Sequence, residues 1–564
     1  MKNNPASGRR SRRLAFVLAL MWGGAAAAQA QTMPPPSGVS YDMPAVADEG
    51  ATPEAPPPSS RPRRSRPEIH PYLEVDQVIS AELDGGDTLT YTSVAAGVDG
   101  RVQTRRITVQ ASYRYQRNIE WSGDVGDQDV HSGVAMVNAQ IVPGAVQLDA
   151  GALATRTGGQ GRALGVTDRD ESVEVYSAYA GPTVSTHAGP VTVNAGYRLG
   201  YVAIDDDTGA AGRGDDDGSA VAHAASVSAG MAPGELPVGW GVNAGYQRTD
   251  SDGEFDHEFE GRYIRGDVVV PVSPTLAATA GVGYENIQAS QRDIARDANG
   301  NPVVGPDGIV ADPNRRVLTY DVDGVIYDAG ITWRPTQRTA LEARAGHRYG
   351  GTTFVGTLSH QFSPHLGMNA AVFDSVQTFS NLLLDDISHL PDDFHVRRDP
   401  LTGSMGGCVF GNDPGRGVCL DRSLQSIRSN SFRLRGASLV FSGRGRIWSW
   451  GVGADYSHRR YGRPDDPAFD LLGGATDESV SLSATASRRL SRTSDLGLDV
   501  FASWFDTDEV DFDRVFSAGA NVSYSRSFML ERLRLLAALG LYHSDDGEFD
   551  STVASGLLGL RYGF

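Results

Sequence analysis

Arginines and carboxylates recur on one face of alternating segments, and these are the side chains with the clearest chemical capacity. Arg106 and Arg114 share a face with Thr108, Gln110 and Ser112, while the positions between hold Ile107, Val109, Ala111, Tyr113 and Tyr115. Arg198, Arg344, Arg348 and Arg561 sit on the same kind of face in their own segments, as do Glu342, Asp455 and Asp499. A guanidinium is permanently charged and presents a planar fork of donors. On the inward face of a barrel strand, such residues line a watery lumen and select anions, or pair with acids across the wall and brace it. The two roles are compatible, and the sequence leaves both open.

Other constellations are poorer. Asp205–Asp207, Asp215–Asp217, the group Asp168, Asp170 and Glu171, and the pair Asp545 and Asp546 are acidic clusters in long connections. None has the spacing of a calcium-binding loop, so solvated surface charge is the default reading. Cys408 and Cys419 are the only cysteines. In an exported chain, a pair this close is expected to form a disulfide closing a small loop. Neither has His or acidic neighbours at metal-ligand spacing, so no metal is expected. The 12 histidines are scattered. No His-Glu-x-x-His, nucleophile elbow or phosphate loop occurs, so neither an enzyme nor a cofactor is expected.

The elements that must position these charges are strands. From Pro71 onward the apolar period is two, which places alternate side chains on opposite faces. Val191, Val193, Ala195, Tyr197, Leu199 and Tyr201 alternate with Thr192, Asn194, Gly196, Arg198 and Gly200. The segments 276–285, 340–349, 447–457 and 515–525 repeat the pattern, and several apolar faces end in Tyr or Trp. Aromatic ends fit the interface girdles of a transmembrane barrel better than a soluble sheet, which buries its aromatics mid-strand. Short connections carrying Pro or Gly alternate with long ones, the longest at 378–430. That is the periplasmic-turn, outer-loop alternation of an outer-membrane barrel. The fold expected is all-β, a transmembrane antiparallel up-and-down barrel of about 18–22 strands. No plug domain precedes it, so the lumen is expected to be open or filled by a loop. Glycine and serine at inward positions favour a passage.

The last fourteen residues, 551–564, carry Phe564, Tyr562, Leu560 and Leu558 on one face and Arg561, Gly559, Leu557 and Ser555 on the other. This resembles the C-terminal insertion signal of bacterial outer-membrane barrels at Gly559, Tyr562 and Phe564. Leu557 departs from it, standing where that signal usually has a polar residue.

Residues 1–30 read as a signal peptide: Arg9, Arg10, Arg12 and Arg13, an apolar core from Leu14 to Ala28, and an Ala-x-Ala site before Gln31. Its removal takes the net charge from −19 to −24, because Lys2 and four arginines leave with no acid. So acidic a chain is a poor partner for nucleic acid. Residues 31–70 are rich in Pro and Arg and read as a disordered periplasmic linker, chiefly a tether. Residues 71–564 form the barrel.

The start of the barrel, Ile69-His70-Pro71-Tyr72-Leu73-Glu74-Val75, then Gly97-Val98-Asp99-Gly100-Arg101 through Tyr113-Arg114-Tyr115, resembles β-barrel porins encoded beside exopolysaccharide and PEP-CTERM/exosortase loci of Gram-negative bacteria. The resemblance implies a porin-like conduit in the outer membrane for polysaccharide export or polar solutes. The alternative is a non-conducting docking component of an envelope or surface-polysaccharide assembly. It also implies outer-membrane lipid, lipopolysaccharide, the barrel assembly machinery and periplasmic polysaccharide export proteins as partners. Deleting Phe564 is expected to impair insertion, read as loss of heat-modifiable barrel from outer-membrane fractions. Arg561→Ala is expected to insert normally.

Overall fold

A computed structural model describes residues 67–564 except 86–87, 123–127, 159–171, 207–217, 306–307, 392, 395–397, 406, 465–475, 509–513 and 548–549. The leader, nearly all of the 31–70 linker and most of the acidic clusters lie outside the described residues. Among the described residues, 22 strands form one antiparallel sheet. The first strand, Glu68–Glu82, pairs with the last, Asp550–Gly563, from Tyr72 opposite Gly563 to Glu82 opposite Val553. The sheet is therefore a closed barrel with no free edge, the form in which strands can cross lipid with every backbone group satisfied.

The alternation decides which face meets lipid. On the first strand Leu73, Val75 and Ile79 are exposed outward, while Glu74, Asp76, Val78 and Ser80 are buried inward. On the last strand Leu558, Leu560, Tyr562 and Phe564 face out, and Leu557 and Ser555 face in. An outward apolar band with aromatics at its edge is the surface of an outer-membrane barrel. The protein therefore resides in the outer membrane, among lipid and lipopolysaccharide, where such barrels are inserted by the barrel assembly machinery.

Two features of the rim differ from the expected loops. Strands Leu276–Ile294 and Ala311–Thr336, of 19 and 26 residues, are the longest of the wall among the described residues. Polar residues face outward in this region, Asp321 and Asp323 on the second of these strands and Arg262 on the neighbouring strand Glu258–Ser273. The next hairpin, Thr339–Arg348 and Gly351–Ser363, is short and turns on two residues, Tyr349 (φ 55°) and Gly350 (φ 69°). Two positive φ values are what a tight two-residue hairpin requires, and Gly350 supplies one without strain. The long hairpin leans over the notch left by the short one: Tyr320 donates its hydroxyl to the Tyr349 carbonyl at 3.3 Å.

The main departure from an open pore is inside. Strand Leu366–Gln377 is followed by a segment, 378–431, that turns inward and fills the lumen before strand Phe432–Arg444 resumes the wall. It opens with a helix, Phe379–Ser388, whose Thr378 cap accepts the Asn381 N–H. Phe379, Leu382, Leu383, Leu384 and Ile387 are buried against Val134, Leu153, Val175, Tyr179, Val202 and Ile204, which are wall residues. A small hairpin follows, with Cys408 and Cys419 opposite each other and joined by a disulfide. The tip at Pro414 and Gly415 reaches the start of strand Leu366–Gln377, at the turn-bearing end of the barrel.

Inward glycines are sockets for this segment, and the expectation that they leave a passage is corrected. A Cβ at Gly200 would stand 2.1 Å from Leu384, one at Gly451 2.6 Å from Phe410, one at Gly453 2.1 Å from the Cys408 sulfur, and one at Gly540 2.4 Å from Leu401. Each absent side chain is occupied volume, because protein interiors tolerate little overlap. Gly540→Leu is expected to unseat Leu401 while leaving the wall intact. The predicted signature is a heat-modifiable barrel whose 378–431 segment becomes sensitive to limited proteolysis, with about 1–3 kcal/mol lost from overpacking.

Candidate functional site

The lumenal segment is held by polar contacts from strands around much of the wall. Arg398 donates to the Ser112 hydroxyl at 3.0 Å, the Ser132 hydroxyl at 3.0 Å and the Ser132 carbonyl at 3.2 Å. Asp399 accepts from Asn521 at 3.0 Å and from the Tyr542 hydroxyl at 2.7 Å through one oxygen. Its other oxygen accepts the Leu401 and Thr402 backbone N–H groups. Tyr91 donates its hydroxyl to the Leu401 carbonyl at 2.9 Å, and Thr155 donates to the Met405 carbonyl at 2.9 Å. From the opposite wall Arg459, 1 % exposed, donates to the carbonyls of Ser426 at 2.6 Å and Arg422 at 2.5 Å. Asp421, at the start of a short helical turn, accepts the Gly407 N–H at 2.7 Å; burial pushes its carboxyl up and that hydrogen bond opposes the shift.

The charged residues read from sequence fall into two groups. Arg114 pairs with Glu74 at 2.9 Å and Asp76 at 3.0 Å within the wall. Arg344 contacts Asp267 at 3.0 Å, Asp328 at 3.4 Å and Glu342 at 3.2 Å, and Arg265 shares both aspartates. Arg348 meets Glu285 at 2.9 Å. Arg561 pairs with Asp99 and lies over the Tyr72 ring, 3.3 Å from its centre. These arginines brace strand to strand. Arg198 points instead at the lumenal helix, 3.7 Å from Asp385. Asp455 is buried inward near the disulfide. Its grouping with Cys408 and Cys419 is no metal site while the two sulfurs are bonded to each other. Asp499 lines a cavity beside the segment. Arg106 lies exposed in the turn after Thr88–Gln103, off the lumen wall. Gly559 sits under Asp76, where a Cβ would come within 1.9 Å of the carboxylate, and Tyr562 and Phe564 meet edge to face with 5.2 Å between ring centres.

The cavity, about 260 Å³, lies between the lumenal segment and the wall strands from Trp448–Tyr461 to Leu533–Asp545. Its wall side is rich in hydroxyls, with Ser481, Ser483 and Thr485 on one strand, and includes the rings of Phe501 and Tyr542. Sequence reasoning missed the residues that dock the segment, above all Arg398, Asp399 and Leu401. One signal was available: Thr378 followed by Phe379-Ser380-Asn381-Leu382-Leu383-Leu384 is a capped apolar helix, out of place in a solvated outer loop. The inward Leu557, which departs from the insertion signal, has the same cause: it is buried with Val78, Leu89, Tyr91 and Leu401.

Fold and site together define an outer-membrane β-barrel whose lumen is occupied by its own inserted segment. No family model and no curated protein matches the chain. Solved structures do match. The siderophore receptor PiuA from Acinetobacter baumannii is 10% identical, with 87% of this chain and 82% of that one covered and a TM-score of 0.44. The FrpB iron transporter from Neisseria meningitidis is 9% identical, with 88% and 83% covered and a TM-score of 0.43. The ferric-catecholate import receptor Fiu from E. coli is 10% identical, with 87% and 81% covered and a TM-score of 0.41.

These findings correct the resemblance drawn from the barrel's start. No family model ties the chain to porins of exopolysaccharide and exosortase loci, and the lumen expected to conduct is packed with the inserted segment. The porin-like conduit for polysaccharide export falls with that resemblance, and the filled lumen supplies the physical reason. The non-conducting docking component of an envelope or surface-polysaccharide assembly is likewise not carried forward.

Arg344→Met is expected to leave the buried carboxylates of Asp267 and Asp328 to Arg265 alone and to deprive Glu342 of the guanidinium it pairs with. Breaking a buried pair from one side costs about 3–5 kcal/mol, to be read as a lowered midpoint in denaturant unfolding of the purified barrel.

Proposed function

We propose that this protein is a gated outer-membrane transporter, which passes a small ligand only when its lumenal segment rearranges. One observation carries the reading: the segment 378–431 occupies the lumen and is hydrogen-bonded to opposite sides of the wall. A barrel of 22 strands is on the order of 40 Å across its backbone, wide enough for a water-filled channel unless something fills it. A passive pore gains nothing from a capped helix, a disulfide hairpin and buried ion contacts in its bore. A transporter that must stay closed to detergents and toxins does. The hydroxyl-lined cavity beside the segment supplies a place for a ligand to bias the closed and open arrangements, as a population shift requires. The Pro-rich stretch 31–70 serves in this reading as a periplasmic tether.

Purified protein in planar bilayers tests it. The intact barrel is expected to show little or no steady conductance. A variant with 379–431 replaced by a short Gly/Ser linker is expected to show large, steady channels. Wide channels from the intact protein, equal to those of the deletion, would sink the gated reading.

A further inference from the structure

Two exposed arginines stand on the lipid-facing side of the wall. Arg488 lies on strand Thr476–Arg489 and Arg526 on strand Val515–Phe528, in step with the outward Leu482 and Val522 of those strands. Strand Ser494–Thr507 runs between them. We infer that the pair binds the phosphate of an anionic phospholipid of the inner leaflet, with a headgroup that carries no amine, of the phosphatidylglycerol kind.

Register sets their depth. Trp448, Arg488, Leu496 and Tyr524 form one row across four strands. Arg526 lies two residues from Tyr524 toward the short connection 529–532, and Phe528 two further. Phe528 stands opposite Leu533, and Leu533 opposite Tyr562, beside the end of the chain. Short connections of such barrels face the periplasm, so both cations stand in the inner aromatic girdle, at the depth of the inner-leaflet phosphates.

Their charge is uncompensated. Neither has an ion pair among the described residues; Arg488 lies over Trp448, 5.0 Å from the ring centre, and Arg526 over Phe528 at 5.2 Å. A stacked guanidinium keeps its N–H edges for another acceptor, and its planar fork matches two phosphate oxygens. The outward carboxylates of these three strands, Glu478 and Asp506, stand opposite each other at the outer end. An ethanolamine headgroup would therefore bring its ammonium among cations, with no outward carboxylate of these strands to receive it. A glycerol headgroup brings none. Two strand spacings and two residues put the arginine Cα atoms about 12 Å apart, so a phosphate lying over Leu496 is within a screening length of both.

The surface below accommodates an acyl chain. Ala486 stands between Trp450 and Leu498, and Ala484 between Val452 and Val500. Two alanines flanked by larger side chains leave a trough that begins under Arg488 and runs toward the membrane centre. The chain as a whole repels anionic lipid, with a net charge of −19, so a preference for such lipid requires a local site.

Native mass spectrometry of the full-length barrel in detergent tests this, with phosphatidylglycerol and phosphatidylethanolamine of identical acyl chains as probes. Phosphatidylglycerol is expected to be retained at about tenfold lower lipid concentration. Arg488→Gln together with Arg526→Gln should erase that difference in a barrel that is still heat-modifiable. Arg106→Ala, which removes a charge from a turn elsewhere, should preserve it. Equal retention of the two lipids, a preference that survives the double substitution, or an equal loss of preference in Arg106→Ala would overturn the assignment. The gated reading would stand in each of those cases, since it is decided by conductance.

Discussion

A wall of 22 strands encloses far more volume than its inward side chains can fill, and the rest of the structure answers that constraint. Small barrels close their interiors with their own side chains; barrels of this size leave water unless a separate piece of chain is brought in. Here the piece comes from one outer connection. The wall accommodates it with glycine where the segment is bulky, serine where it offers N–H donors, as at Arg398 and Gly415, and arginine where backbone carbonyls gather, as around Arg459. The inward surface is thus half of an interface.

The wall divides its charges accordingly. Around strands Glu258–Ser273, Ala311–Thr336 and Thr339–Arg348, Arg265, Arg344, Asp267 and Asp328 neutralise one another and tie strand to strand. Elsewhere Arg198, Arg101 and Arg459 reach across to the segment. Ion pairs inside a barrel gain strength from the reduced dielectric and lose it to desolvation. Sharing each carboxylate between two guanidiniums, as Asp267 does, offsets that loss.

Much of this architecture was legible in the sequence, for a local reason. Alternation along a strand depends only on which face meets lipid, so the face of Arg561 or Tyr113 follows from neighbours two residues away. Closure followed from the alternation of short and long connections and from the aromatic C-terminus. The contents of the lumen depend on contacts between residues hundreds of positions apart, such as Tyr91 with Leu401 or Tyr542 with Asp399, and no periodicity records them. Glycine was misleading for the same reason. Gly453 and Gly540 look like vacant wall in one dimension and are filled sites in three. The early likeness to a porin family drew on strand style that barrels share widely, and so said little about function.

The segment leaves and rejoins the wall at adjacent places: Gln377 and Phe432 stand opposite each other as the last rung between their strands. Its two ends therefore form a single hinge at the rim. Swinging 378–431 outward about that rung would break side-chain contacts and empty the bore, yet sever no hydrogen bond of the 22-stranded ladder. The barrel can keep its shape, its lipid contacts and its closure whichever position the segment holds, so the mechanical work of opening is confined to 54 residues of a much longer chain.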